Sequence, residues 1–239
     1  LSNVFPNIRD SELFPGFLRV YKHDEVFEIS DHELIEPQFD DIYWDIKAFP
    51  LSEGLIGVSF EDVTDEVKSR QKLEYIATHD EMTGLLDRGY FLERFSEELE
   101  RARRYDRTIS MILLDLDDFK RVNDSYGHLA GDEVLRTIGN ELSDMARESD
   151  LIGRYGGEEF CLVLPETNLE DARELAERIR KTIEDLQFSS NHDEMFQVTT
   201  SAGITELKED DENIRGMIGR ADQALYKAKE LGKNRVRDK

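Results

Sequence analysis

At 239 residues the chain has room for one large domain, or for one domain and a smaller unit. With 38% hydrophobic residues it can build an ordinary core, and it has no apolar run long enough to span a bilayer and no signal peptide. A net charge of −23 argues against a DNA or RNA polymer as partner, because phosphate binding needs a basic surface; a single nucleotide needs only a few local donors.

The acidity is spread along the chain, with 7 basic and 18 acidic groups in residues 1–80, which reads as a solvated surface. The single cysteine, Cys161, lies inside an apolar run and reads as a buried thiol with no disulfide. Both features point to the cytosol. Membrane contact is expected only through a region preceding residue 1.

In chain order, residues 1–62 read as one unit. Val20-Tyr21-Lys22 reads as the start of a strand. Residues 41–49 alternate and are rich in aromatics, so they read as a strand. Leu51-Ser52-Glu53-Gly54 is a turn, and residues 55–60 form the antiparallel return strand. His23 and His32 read as surface histidines. Residues 63–77 carry Val63, Val67, Leu73, Ile76 and Ala77 at helical spacing, with Asp62 or Thr64 as cap. This helix is either a parallel coiled coil or a plain spacer, and the short, impure heptad leaves both open.

From residue 78 onward helices and strands alternate. A helix carries Phe91, Phe95, Leu99 and Ala102. A strand covers 109–116, and a helix follows with Val134, Ile138 and Leu142. A hairpin covers 151–164. The next helix, over 169–186, has Thr167 and Glu170 as a capping box. A strand at 197–205 precedes a last helix from Ile214 to Leu231, ended by Gly232. The pattern gives an α+β fold: a sheet covered by helices.

The chemistry concentrates at the hairpin turn, Tyr155-Gly156-Gly157-Glu158-Glu159-Phe160. Glycine allows a positive φ and leaves no side chain above the turn, so a phosphate can approach the backbone while a carboxylate stands beside it. Asp115 ends another apolar strand. If the two strands are neighbours, Asp115 and Glu158 converge on one Mg²⁺, a hard cation that prefers oxygen ligands. The run Asp115-Leu116-Asp117-Asp118-Phe119-Lys120-Arg121-Val122-Asn123-Asp124 is a strand ending in acids and turning toward a helix, which suits a metal–triphosphate site. Taken alone, that run is as readily a solvated acidic turn; beside the hairpin it is read as a site.

These motifs together resemble a GGDEF-family diguanylate cyclase domain in its GGEEF form, covering residues 78–239. The resemblance implies a mostly antiparallel sheet of the nucleotidyl-cyclase and polymerase-palm type. It implies that Asp115, the Leu116 carbonyl and Glu158 bind Mg²⁺, with Mn²⁺ as an alternative. Lys120 then stabilises transition-state charge, and Glu158 helps deprotonate the attacking 3′-hydroxyl. Asn123 and Asp132 read guanine: N1–H and N2–H₂ are adjacent donors that a carboxylate accepts together, whereas adenine has no N1–H. Against that stand a turn residue for Asn123 and a helix cap for Asp132. His128 lies near the nucleotide or is simply packed. Lys229 and Lys233, four apart on one helix face, bind phosphates or complement the helix dipole. Family members often have Arg at the position of Lys233, and lysine loses the bidentate geometry.

Arg147-Glu148-Ser149-Asp150, with Arg178 on the following helix, resembles the family's product inhibition site. The family usually has Asn where Asp87 stands, and Asp80 and Arg88 are expected to pair as scaffold. Residues 1–62 resemble the C-terminal part of a PAS sensor domain through the paired strands and Asp62-Val63-Thr64, with 63–77 as linker. The resemblance thus implies an enzyme that joins two GTP into cyclic di-GMP across a homodimer. The alternative is a catalytically silent receptor for cyclic di-GMP.

Overall fold

The computed structural model describes residue 11 and residues 13–33, 42–190 and 194–239. The chain divides into two compact units, Leu1–Tyr75 and Ile76–Lys239.

In the first unit, α1 (Leu13–His23) lies against a three-stranded antiparallel sheet of β1 (Phe27–Glu33), β2 (Tyr43–Pro50) and β3 (Ile56–Asp62). Leu13, Phe17 and Val20 form one helical face and are buried with Ile46 and Ala48. Val20-Tyr21-Lys22 is therefore the last part of a helix, not the start of a strand. The three-residue window hides the seven-residue period that decides it. The expected β2–β3 pair is present in register, from Trp44↔Asp62 to Pro50↔Ile56. Asp41, the first residue of the expected strand, lies outside the described residues. Asp62 accepts from the N–H and hydroxyl of Thr64 at the start of α2 (Thr64–Thr78), at 3.0 and 2.6 Å.

The second unit is built on five strands in the order β10-β9-β4-β6-β5. These are β4 (Ile109–Leu116), β5 (Leu151–Arg154), β6 (Glu159–Pro165), β9 (Thr200–Glu206) and β10 (Val236–Asp238). Only β10 runs parallel to its neighbour. A small hairpin, β7 (Phe188–Ser189) and β8 (Met195–Phe196), stands apart from this sheet.

All eight residues of β4 are buried, because β4 is central and both of its faces are covered. Alternation sorts its side chains into two cores. Ile112, Leu114 and Leu116 join the core formed with α5 (His128–Met145) and α6 (Leu169–Asp185). Met111 and Leu113 join the core formed with α3 (Arg88–Tyr105) and α7 (Ile214–Glu230). Asp115 continues the second series and so belongs to the α7 face. A short helix, α4 (Phe119–Tyr126), follows β4 and meets α5 at Gly127, whose φ is 86°. Cys161 is fully buried, as read from its apolar run.

Two local expectations change. The cap of α6 is Asn168, which accepts from the Asp171 N–H at 2.9 Å, while the Thr167 hydroxyl donates back to the Pro165 carbonyl. Asp80 pairs with Arg154, both oxygens at 3.1 Å from Nη1, and not with Arg88. Arg88 instead stacks over the Tyr155 ring at 4.8 Å.

Candidate active site

The site forms where β4 and β6 run out together. Their register sets Asp115 opposite Glu159 and continues one step further, with the Leu116 N–H donating to the Glu158 carbonyl at 3.2 Å. Directly opposed residues share a face, so Glu159 stands with Asp115. Asp115 is buried, and Lys229 of α7 brings its ammonium to 2.7 Å from Oδ2.

Burial raises the Asp115 carboxyl above the ordinary range. The Lys229 hydrogen bond and charge oppose that shift, and the Asp117 charge adds to it. Glu158 and Glu159 are raised for the same reasons, first burial and then the Asp115 charge, again with Lys229 opposing. The carboxylates repel one another, and lysine compensates only in part.

Neither glycine of the turn has a positive φ, so what they supply is space, not an unusual backbone conformation. A Cβ on Gly156 would lie 2.4 Å from Glu159 Oε2, so this glycine makes room for the carboxylate. A Cβ on Gly157 would meet nothing within 4 Å, so its face is open. Arg154 holds the turn from behind: Nη2 donates to the Gly157 carbonyl at 2.8 Å while Nη1 grips Asp80. Asp80 in turn accepts from the N–H and hydroxyl of Thr83. Burial pushes the Asp80 carboxyl up, but Thr83 and Arg154 outweigh it and hold it low.

Beyond β4 the backbone turns through Asp118, at φ 55°, into α4. Lys233 places its ammonium 2.5 Å from Asp118 Oδ1 and thereby lowers that carboxyl. Lys233 lies past the end of α7, not on the same helix face as Lys229. A loop at φ 111°, 62° and 47° through Gly232, Lys233 and Asn234 brings the two lysines to neighbouring carboxylates. Asn123 sits on α4 against the first turn of α5, where a Cβ on Gly131 would lie 2.0 Å from its Oδ1. Asp132 lies inside α5, whose cap position is Gly127, so the helix-cap reading of Asp132 fails. Asn123 and Asp132 are half-buried; Lys120 and His128 are exposed, the latter as the first residue of α5.

Among the described residues no group of three or more His, Cys, Asp or Glu side chains is placed to hold a metal alone. A cation at Asp115 and Glu158 would complete its shell from backbone carbonyls, water and ligand oxygens. That donor set fits Mg²⁺, which is usually bound through one or two carboxylates and substrate phosphates.

A second cluster lies at the other end of β6. Arg147, Asp150 and Arg178 line one cavity of about 230 Å³ that also touches Leu164, Asp171 and Glu174. The Arg147 N–H donates to Asp150 Oδ2 at 2.9 Å, whereas Oδ1 is buried with no hydrogen-bond partner.

The α+β domain thus sets Asp115, near the end of its central strand, against Lys229, and Asp118, just past that strand, against Lys233. Residues 77–235 match the family described as diguanylate cyclase, GGDEF domain, and the chain belongs to that family. The chain is 44% identical over 160 residues to diguanylate cyclase DgcP of Pseudomonas aeruginosa, covering 67% of this chain and 24% of DgcP. It is 39% identical over 182 residues to a Vibrio cholerae diguanylate cyclase, covering 76% of this chain and 56% of that protein. The chain therefore spans about a quarter to a half of these relatives. The fold matches the crystal structure of the GGDEF domain of DgcB from Caulobacter crescentus in complex with c-di-GMP. The TM-score is 0.66 at 32% identity, covering 68% of this chain and 93% of that one. Among the described residues no helix is long and apolar enough to cross a membrane.

Proposed function

We propose that this chain is a diguanylate cyclase, joining two GTP molecules into cyclic di-GMP with release of two pyrophosphates. The observation that carries the reading is the convergence of Asp115, Glu158 and Glu159 on Lys229 at the ends of β4 and β6, within a GGDEF domain. In each half of the reaction a 3′-hydroxyl attacks the α-phosphorus of the other nucleotide. One P–O bond forms, the bond to the bridging oxygen breaks, and the hydroxyl proton is lost. The product has two-fold symmetry, so two domains face each other as a homodimer.

Asp115, the Leu116 carbonyl and Glu158 would hold Mg²⁺ or Mn²⁺. When bound, the metal neutralises phosphate charge and lowers the pKa of the attacking hydroxyl. Glu158, with its carboxyl raised by burial and by its acidic neighbours, is suited to take the proton. Lys229 and Lys233 exchange their carboxylate partners for phosphate oxygens, and Lys120 balances charge in the transition state. Asn123 and Asp132 accept and donate at the guanine edge, with His128 beside them. Arg147, Asp150 and Arg178 form the site for product inhibition. The unpartnered Asp150 Oδ1 supports this, because a guanine N–H would satisfy it. Residues 1–62 are a partial PAS-like sensor, 63–77 a signalling helix and 78–239 the catalytic domain.

The test is to strip bound nucleotide, add GTP and Mg²⁺, and identify products by chromatography and mass spectrometry. Cyclic di-GMP is expected, and Glu158→Gln should abolish it. Tight cyclic di-GMP binding without turnover would instead make the chain a silent receptor.

A further inference from the structure

Asp117 lies between Asp115 and Asp118, each paired with a lysine, yet its own partners are different. Its Oδ1 accepts from the Ser201 hydroxyl at 2.7 Å. Its Oδ2 accepts from the Thr199 hydroxyl at 2.7 Å and from the backbone N–H of Asn234 at 3.0 Å. Three neutral donors thus satisfy a buried carboxylate, and one of them belongs to the loop that carries Lys233.

That loop is strained. Lys233 and Asn234 are consecutive non-glycine residues in the left-handed region. Such residues cost free energy and persist only where the surroundings over-determine them. Here they do. The Lys233 N–H donates to the Ala228 carbonyl at 3.1 Å, and Arg235 Nε donates to the Lys233 carbonyl at 2.8 Å. The Asn234 side chain is held at both ends by α6: Oδ1 accepts from Arg180 Nη1 at 2.8 Å and Nδ2 donates to Glu184 Oε1 at 2.7 Å. Arg180 also bonds Glu184, which closes the network. From this loop the Asn234 N–H reaches Asp117 and the Lys233 side chain reaches Asp118.

We infer that Asp117 and Asn234 are positioning residues: together they lock the left-handed loop after α7 so that Lys233 is aimed at the phosphate site. Asp117 is neither a metal ligand nor a proton carrier. Asn234 acts through the lysine beside it and does not touch the nucleotide. The inference rests on the reading of this site as a GTP site.

The experiment is a double-mutant cycle read by calorimetric binding of a non-hydrolysable GTP analogue with Mg²⁺. Asp117→Asn and Asn234→Ala are each made alone and with Lys233→Ala. Each single variant should weaken binding by about tenfold, the scale of one charged hydrogen bond. Neither should weaken it further in the Lys233→Ala background, because the residue they aim is gone. Asp117→Asn should leave the half-saturating Mg²⁺ concentration within about twofold, whereas Asp115→Asn should raise it by an order of magnitude or more. If Asn234→Ala fails to fold, Asn234→Gly replaces it, since glycine accepts the backbone angle. Additive losses, or unchanged binding in the single variants, would overturn the inference. Wild-type protein that binds no GTP analogue at all would overturn the GTP reading instead.

Discussion

Gly157→Ala separates what the turn needs in order to fold from what it needs in order to act. A Cβ at this position would meet no atom within 4 Å, and the backbone is not left-handed there. Alanine is therefore accommodated without strain. Replacing glycine by alanine at a compatible position removes freedom from the unfolded chain and stabilises by about 0.4–1 kcal/mol. For a unit of this size, about 2–4 °C per kcal/mol, the melting temperature should rise by about 1–4 °C. Turnover should move the other way. If the open face of Gly157 is where a phosphate approaches the backbone, a methyl group there displaces it by about an ångström, and misplacement on that scale costs about a hundredfold in rate. The assay pairs a thermal melt with initial rates of cyclic di-GMP formation. Gly156→Ala is the contrast: its methyl would collide with the Glu159 carboxylate, so activity falls through Glu159 rather than through the substrate. A Gly157→Ala protein that is more stable and fully active would refute the phosphate approach. One that is less stable by more than about 1 kcal/mol would refute the claim that the fold has no use for this glycine.

Three further outcomes can be measured on the same protein. Arg220→Ala strips the partner from Asp211, which is 3% exposed, and also removes bonds to Thr205 Oγ1 and the Glu206 carbonyl. Leaving that carboxylate buried without its counter-ion, with only the Lys208 N–H to bond it, should cost about 3–5 kcal/mol in urea unfolding, and a loss below about 1 kcal/mol would contradict it. On acidification, metal affinity should fail before the fold does. Asp115 and Glu158 have raised folded-state pKa values, so protons would compete with a metal for them at pH above the ordinary carboxylate range. Asp80 and Asp211 are depressed despite burial, through Thr83 and Arg154 and through Arg220 and the Lys208 N–H. Their stabilisation is present above the unfolded pKa and is lost only as pH falls through the lower folded value. Coincident loss of Mn²⁺ binding and circular dichroism would exclude this order. Arg147→Ala should relieve inhibition by cyclic di-GMP and spare the rate measured without product; inhibition that persists unchanged would remove Arg147 from that site.

Much of this was legible in the sequence, for a physical reason. β4, the hairpin at 151–164 and helices α3, α6 and α7 each carry their own period within a dozen residues, and burial enforces it. The elements that escaped are those that only distant partners define. β10 is three residues long and exists because Val236, Arg237 and Asp238 run along Ala202, Gly203 and Ile204 of β9. α1 needed a face shared with Ile46 and Ala48. At the site, the residue types were readable but their pairings were not. Asp80 found Arg154 across 74 positions of sequence, and Asn234 reached Asp117 across 117. Glu159 was placed by strand register, which a turn motif does not reveal.

The charge at the strand ends constrains how a substrate arrives. Asp115, Asp118, Glu158 and Glu159 stand against Lys229 and Lys233, and both ammonium groups are already engaged with carboxylates. A bare triphosphate would meet net negative charge on a chain whose total is −23. A divalent cation bound by Asp115 and Glu158 would offset that charge, and Lys229 and Lys233 would then be free to turn from their carboxylates to phosphate oxygens. Metal and proposed nucleotide should therefore bind with positive coupling, each tightening the other by the same factor. Calorimetry with Mn²⁺ and a GTP analogue, titrated in both orders, measures that factor, and a value of one would mean that the lysines and the metal act independently.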